Sequence, residues 1–330
     1  MIWSMLVSMD IVRTIVGLCM SLMLSFPCSL GAMGSDEEAF SIDSRVEIVV
    51  PASKGGGSDI MARTLADSLS TVLSPQESVE VVNKPGGSGL AAVAYANSRP
   101  QPDTVLCVAN TSHLLRMYQD TGRLELVPIV RMVEDPVLLV VPNTSEIHSV
   151  EDFVSIASNR RLMVGTADIL DRYCVSRLNT KIAGNLQSVY YDSALPIVQG
   201  LLSGRLDAGI LNPSEAQEEV HSGNLKIIAI FSDVPNAIML SEAESFVGRG
   251  YGGLDLRFSR YVMGPENMSG DALDYWCGVL EIVAKSTDWM ESYVDPGGMK
   301  ESFISKDELD KFLIEYELPM IESILAEGVL

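Results

Sequence analysis

Cysteine is scarce, with five residues in 330, too few for a disulfide scaffold. Histidine is scarcer: His113, His148 and His221 are the only three, and they are scattered. No C-x-x-C and no H-E-x-x-H occurs, so neither a metal site nor a metal cofactor is expected. Basic residues are also few. There are 23 Lys+Arg against 44 Asp+Glu, a formal net charge of −21. Nucleic-acid affinity rests on Lys and Arg neutralising phosphates, so that class is excluded. Docking on an anionic membrane surface is disfavoured for the same reason. Beyond residue 34 no apolar run is long enough to span a bilayer. What remains is 47% hydrophobic and 20% charged, the mixture of a globular protein with a sizeable core.

Residues 1–34 read differently. Their only charges are Asp10 and Arg13, and Ile15 to Phe26 is almost wholly apolar. Pro27 follows, then the small residues Ser29, Gly31, Ala32 and Gly34. This is the layout of a secretory signal peptide, with cleavage after Gly34 or Gly31. Lipidation at Cys28 and an uncleaved anchor are competing readings. Export to the periplasm is the working expectation. Cys107, Cys174 and Cys277 then remain, and are read as buried thiols packing as small hydrophobes.

From Arg45 the chain alternates between strands and helices. Val46 to Val50 is a β-branched run ended by Pro51. Ile60, Leu65, Leu69, Val72 and Leu73 then recur near helical spacing, with Ser58 or Asp59 as the expected cap. Val79–Val82, Thr104–Ala109, Pro136–Val141, Leu162–Gly165, Ser188–Tyr191, Asp207–Leu211 and Leu225–Phe231 are further strand candidates. Helical patterns separate many of them, and Ser214 is the expected cap of one. Such alternation predicts an α/β fold with mainly parallel sheets. Ligands of these sheets bind beyond the carboxyl ends of the strands.

Two strand-to-helix loops are rich in glycine. Pro51-Ala-Ser-Lys-Gly-Gly-Gly-Ser-Asp59 is the first, and Pro85-Gly-Gly-Ser-Gly89 repeats the design one βα unit later. Glycine lets backbone amides approach a ligand, and the helix macrodipole behind them favours an anion. Ser53, Ser58 and Ser88 add hydroxyl donors. The spacings match neither the dinucleotide fingerprint nor the P-loop, and Gly86-Gly-Ser-Gly-Leu90 misses the nucleophile elbow. No nucleophile with a base is apparent, so no catalytic residue is assigned and an enzyme is not expected.

Together, V-P-A-S-K-G-G-G-S-D-I-M-A-R (Val50 to Arg63) and N-K-P-G-G-S-G (Asn83 to Gly89) resemble the substrate-binding proteins of tripartite tricarboxylate transporters, the Bug family. Leu202-Ser-Gly-Arg-Leu-Asp207 and Ser222-Gly-Asn-Leu-Lys226 resemble later, looser motifs of that family. The resemblance implies a two-lobed periplasmic-binding-protein fold of type II that closes on its ligand like a flytrap. By the same analogy one lobe holds residues 44–141 and 252–330, and the other holds 142–251. It implies a monomer that captures a small carboxylate and passes it to membrane permease subunits. The ligand contacts it implies are Ala52, Ser53, Lys54, Gly56, Gly57, Ser58, Asp59, Gly86, Gly87, Ser88 and Thr111 from one lobe. From the other they are Thr166, Ala167, Asp168, Asp192 and Ser193.

The sequence departs from the family in the cleft. Ala52 stands where many members carry an aromatic, Lys54 where a small residue is usual, and Ser88 where Gly is usual. Gly165-Thr-Ala-Asp-Ile-Leu-Asp171 replaces a Gly- and Ser-rich loop, and Cys174 takes the position of a His. Lys54 could pair with a second anionic group. Asp168 and Asp192 would repel one and suit an amino group, so an amino acid is a candidate ligand beside a plain carboxylate. A sensory subunit reporting to a membrane kinase and a diverged, non-binding scaffold are the alternatives to transport.

Overall fold

The computed structural model describes residues 42, 45–74, 78–232, 243–256 and 258–328. The expected signal peptide lies outside them. Two six-stranded sheets form the frame, both within one compact unit that begins at Phe40.

The first lobe starts with β1 (Val46–Val50), α1 (Gly57–Val72), β2 (Val79–Asn83), α2 (Leu90–Asn97), β3 (Val105–Asn110) and α3 (Thr111–Thr121). Then β4 (Leu126–Asp135) leads directly into β5 (Leu138–Pro142), the first strand of the second lobe. That lobe continues with α4 (Val150–Asn159), β6 (Leu162–Thr166), α5 (Ile169–Ile182), β7 (Leu186–Tyr190), α6 (Ala194–Leu202), β8 (Ala208–Leu211), α7 (Pro213–His221), β9 (Leu225–Ile230) and β10 (Glu244–Ser245). The chain returns through β11 (Phe258–Pro265), α8 (Gly270–Ala284), β12 (Lys300–Ile304), α9 (Lys306–Phe312) and α10 (Leu318–Ala326).

Strand order is β12-β4-β11-β3-β1-β2 in the first sheet and β10-β9-β5-β8-β6-β7 in the second. Both sheets are mixed rather than mainly parallel. β1 pairs parallel with β2 and β3, and β6 with β7 and β8. The strands that cross between lobes run the other way: β5 is antiparallel to β8 and β9, and β11 to β3 and β4. A strand that enters a lobe from the opposite side must do so. Residues 138–141, placed in the first lobe by the sequence, hydrogen-bond in the second sheet.

The two crossovers lie side by side. The Phe231 amide donates to the Val137 carbonyl (3.0 Å), and the Leu256 amide to that of Phe231 (2.7 Å). One apolar cluster runs through both lobes, from Val49 and Leu114 past Val137 and Leu139 to Val164 and Leu178. Burial of such side chains contributes about 1.5–3 kcal/mol each. The carboxyl-terminal helix spans the same boundary. Tyr118 of α3 donates to Glu322 (2.8 Å), and Arg177 of α5 pairs with Glu327 (2.9 Å). No helix among the described residues is long and apolar enough to cross a membrane.

Candidate functional site

Both glycine loops follow the carboxyl ends of adjacent parallel strands, β1 and β2. The first helix begins earlier than its expected cap. Gly56, not Ser58 or Asp59, is the N-cap of α1, and it offers no side chain to the amides behind it. The Gly57 and Ser58 amides therefore find no acceptor among the described residues. Asp59, expected to touch ligand, is instead committed to the loop itself. Its buried carboxylate accepts from the Gly55 amide (2.8 Å), from Arg63 Nε and Nη2 (2.9 Å each) and from Asn83 Nδ2 (2.8 Å). Asn83 also donates to the Ala52 carbonyl (3.0 Å). Burial alone would raise the Asp59 pKa, but the bonds from Arg63, Gly55 and Asn83 outweigh it and hold it below the usual range. Ala52 is half-buried against the first-lobe core, while Ser53 and Lys54 are exposed.

The second loop is set by backbone geometry. Gly86, Gly87, Ser88 and Gly89 all have positive φ, at 135°, 58°, 53° and 104°. Ser88 is thus a non-glycine residue in the left-handed region, which stores about 1–2 kcal/mol. A Cβ on Gly89 would lie 2.7 Å from His113 Cδ2, so only glycine fits. His113 in turn takes part in a capping box: Asn110 Oδ1 accepts from the His113 amide, and His113 Nδ1 accepts from the Asn110 amide (3.1 Å each). The Gly87 and Ser88 amides have no acceptor among the described residues. Gly86, Gly87 and Ser88 are all exposed. Each loop thus presents two adjacent free amides at the start of a helix, the arrangement that binds anions.

Two helices of the second lobe are built the opposite way. Asp168 caps α5 with Oδ1, accepting from the Leu170 (2.7 Å) and Asp171 (3.0 Å) amides. Asp171 reaches back to the Ala167 (2.7 Å) and Asp168 (3.3 Å) amides. Helix α7 repeats the pattern, with Asn212 rather than Ser214 at the cap and Glu215 accepting from the Asn212 amide (2.9 Å). These helix ends are satisfied by the protein's own carboxylates. Asp168 Oδ2 accepts from Ser112 Oγ of α3 at 2.6 Å, a bond that joins the two lobes. Two expected ligand contacts are turned inward. Thr111 is fully buried, donating to Glu317 (2.5 Å) and accepting from the Ser259 amide (3.0 Å). Thr166 is fully buried and bonds to Ser188 Oγ (2.9 Å). Asp192 and Ser193 are exposed at the start of α6, and Ser193 makes no capping bond.

The structure adds residues that the sequence pattern did not flag. Arg260, near the start of β11, is almost completely buried, and its Nε donates to Asp135 Oδ2 at 2.7 Å. A Cβ on Gly57 would lie 2.9 Å from Arg260 Nη2, so the guanidinium sits directly beneath the first glycine loop. Burial opposes the Arg260 charge, but Asp135 outweighs it and keeps the guanidinium protonated. Burial, reinforced by Arg260, pushes His113 down to about 4, so the ring is neutral near pH 7. Burial raises Asp135 despite Arg260. Burial, opposed by the Asn212 amide and reinforced by Asp135, pushes Glu215 up to about 7. Burial and the Asp168 charge push Asp171 well up.

A separate hollow of about 240 Å³ is lined by Arg45, Glu47, Arg99, Pro100, Gln101, Thr104 and Val105. It lies at the opposite ends of β1 and β3 from the loops. Its arginines are already paired, Arg45 with Glu80 and Arg99 with Glu47.

Residues 61–257 match the family model described as tripartite tricarboxylate transporter family receptor. The chain belongs to that family. It is 27% identical over 207 residues to the protein BugT of Bordetella pertussis, a match that takes in 57% of this chain and 60% of BugT. A Rhodopseudomonas palustris protein solved with adipate superposes with a TM-score of 0.76 at 20% identity, covering 87% of this chain and 97% of that one. MatC of Rhodopseudomonas palustris, solved with bound malate, gives a TM-score of 0.71 at 18% identity, covering 85% and 98%. At these identities the two structures show the fold alone, two lobes each built on a mixed sheet. The family is one of receptors, not enzymes.

Proposed function

We propose that the chain is an extracytoplasmic solute-binding protein that captures a small carboxylate between its lobes and delivers it to a tripartite transporter. The observation that carries this reading is the pair of glycine loops. Four amides, of Gly57, Ser58, Gly87 and Ser88, stand without acceptors at two neighbouring helix starts. A carboxylate offers the charge and the lone pairs they require. Adipate and malate, bound in two solved structures of the same fold, are acids of that class. Residues 1–34 would direct export to the periplasm. Permease subunits would be the partners, and the protein would act as a monomer.

Calorimetric titration of the purified chain with a panel of small carboxylates tests the reading. Gly56→Val is the test variant, because φ at Gly56 is −79° and a Cβ there meets only the Ser53 carbonyl, at 3.6 Å, so the substitution fits the fold while placing a side chain at the N-cap of α1. The expected outcome is micromolar binding that falls at least about tenfold in the variant, a loss of about 1.4 kcal/mol. Equal affinity in both proteins removes the first glycine loop from the site.

A further inference from the structure

We propose that Arg260, buried beneath the first glycine loop, determines the affinity of the site for an anion: its guanidinium positions the loop and lends it positive charge. The inference rests on the carboxylate reading above and names a positioning residue for it, one that does not itself touch the ligand.

The charges nearer the surface do not supply that potential. The chain carries a net charge of −21. Within the loop the Asp59 carboxylate is matched by Arg63, whose Nε and Nη2 both bond to it. Lys54 is exposed, and at physiological salt the field of an exposed charge fades over about 8 Å. The helix start offers only about half an elementary charge.

Strand order places Arg260. β11 lies between β4 and β3, and Arg260 pairs with Asn110, the last residue of β3. It therefore stands at the carboxyl end of the parallel strands, where both glycine loops begin. Side chains alternate across a sheet. Tyr261 and Met263 enter the core that runs through both lobes, whereas Val262 packs with Ile48, Val50 and Met61 on the side of α1. Arg260 shares the face of Val262, which brings it under the start of α1. A Cβ on Gly57 would lie 2.9 Å from Arg260 Nη2, 3.1 Å from Nη1 and 3.4 Å from Cζ. A Cβ on Gly55 would meet nothing, and one on Gly56 only the Ser53 carbonyl. The third glycine of the run is thus the seat of the guanidinium.

The ion pair beneath the loop is oriented. Asp135 Oδ2 accepts from Nε at 2.7 Å and also pairs with Nη2. The carboxylate therefore lies on the Nε side, while the Nη end meets Gly57. The pair acts as a dipole with its positive end under the loop. Arg260 and Asp135 are each only 4% exposed. A charge so buried acts through a far lower dielectric than one at the surface, and over a few ångströms changes anion affinity by about tenfold. A guanidinium keeps its charge in such a place, where a lysine readily loses its proton.

The experiment compares three full-length proteins by calorimetric titration with a panel of small carboxylates that includes malate and adipate. They are wild type, Asp135→Asn, and Arg260→Met combined with Asp135→Leu. The double variant removes both charges together, a change that buried ion pairs often tolerate without loss of stability. It should melt within a few degrees of wild type and bind carboxylate about tenfold or more weaker. Asp135→Asn keeps an acceptor beside Arg260 but unmasks its charge. Affinity should rise about threefold or more, and equally at about 0.05 M and about 0.5 M salt, because a buried charge is screened little. A pair that serves only to hold the loop gives no such gain. The proposal is overturned by a folded double variant that binds as tightly as wild type. It is overturned equally by an Asp135→Asn protein that binds no tighter, or whose gain vanishes at the higher salt. Each of these results leaves the carboxylate reading standing. Wild type that binds no acid of the panel overturns both.

Discussion

The two lobes meet the cleft with opposite solutions to one problem, the unsatisfied amides at the start of a helix. In the first lobe α1 and α2 begin at glycines that supply no capping side chain. In the second lobe α5 and α7 begin with closed capping boxes, Asp168 with Asp171 and Asn212 with Glu215. A cap satisfies the helix and consumes its capacity for an anion. The comparison teaches where each charge belongs. The helix starts that keep their amides free, those of α1 and α2 and also of α6 behind Ser193, can hold an anion, whereas those of α5 and α7 are filled by the protein's own side chains.

The largest break in this contrast comes from Arg260, the buried cation beneath the first glycine loop. Arg260→Met leaves Asp135 buried and uncompensated, and should destabilise the protein by about 3–5 kcal/mol in urea titration. Gly89→Ala attacks the second glycine loop alone. It forces a Cβ to 2.7 Å from the His113 ring at a φ of 104°, and should cost about 2–3 kcal/mol.

A buried carboxylate of the first lobe sharpens the contrast through pH. Burial, partly offset by hydrogen bonds from Thr111 and Tyr261, pushes Glu317 up to about 7. In the folded state it keeps its proton to a higher pH than in the unfolded chain. Its contribution is therefore complete below the ordinary carboxyl value of 4.5 and is lost as the pH rises towards about 7. His113 acts with the other sign, its contribution present above 6.5 and lost as the pH falls towards about 4. Glu317→Gln should flatten the fall in stability between pH 4.5 and about 7 relative to wild type, by at most about 1.4 kcal/mol per pH unit. An unchanged difference curve would mean that Glu317 is ionised in the fold.

Smaller effects follow at the seam. Ser112→Ala removes the hydroxyl that Asp168 accepts across the lobes, and should weaken ligand affinity by about 1 kcal/mol while leaving the ligand-free melting temperature nearly unchanged. Ser88→Gly relieves the left-handed serine and should stabilise by about 1 kcal/mol, a rise of roughly 2 °C.

The parallel βα units were legible in the sequence because their strands are short, apolar and β-branched and their helices carry a regular apolar period. The glycine loops were legible because their chemistry is local. The antiparallel strands β4 and β11 were not. Leu126–Asp135 carries Arg131, Glu134 and Asp135, and Phe258–Pro265 carries Arg260, so neither shows a clean apolar run. All four charges are buried and paired in the fold, Arg131 with Glu134 and Arg260 with Asp135. The same strands carry Asp135 and Arg260, the buried pair beneath the first glycine loop, so overlooking them hid the support of that loop. Thr111 and Thr166 look like ligand donors in sequence because nothing local reveals their partners. Glu317 lies 206 residues from Thr111, and Ser188 lies 22 residues from Thr166.

The most direct test of carboxylate capture is a crystal structure of the protein grown with a small carboxylate that it binds in titration. A ligand carboxylate is expected within hydrogen-bond distance of the amides at Gly57–Ser58 and Gly87–Ser88. A ligand carboxylate held elsewhere, with both pairs of loop amides left to solvent, would contradict it.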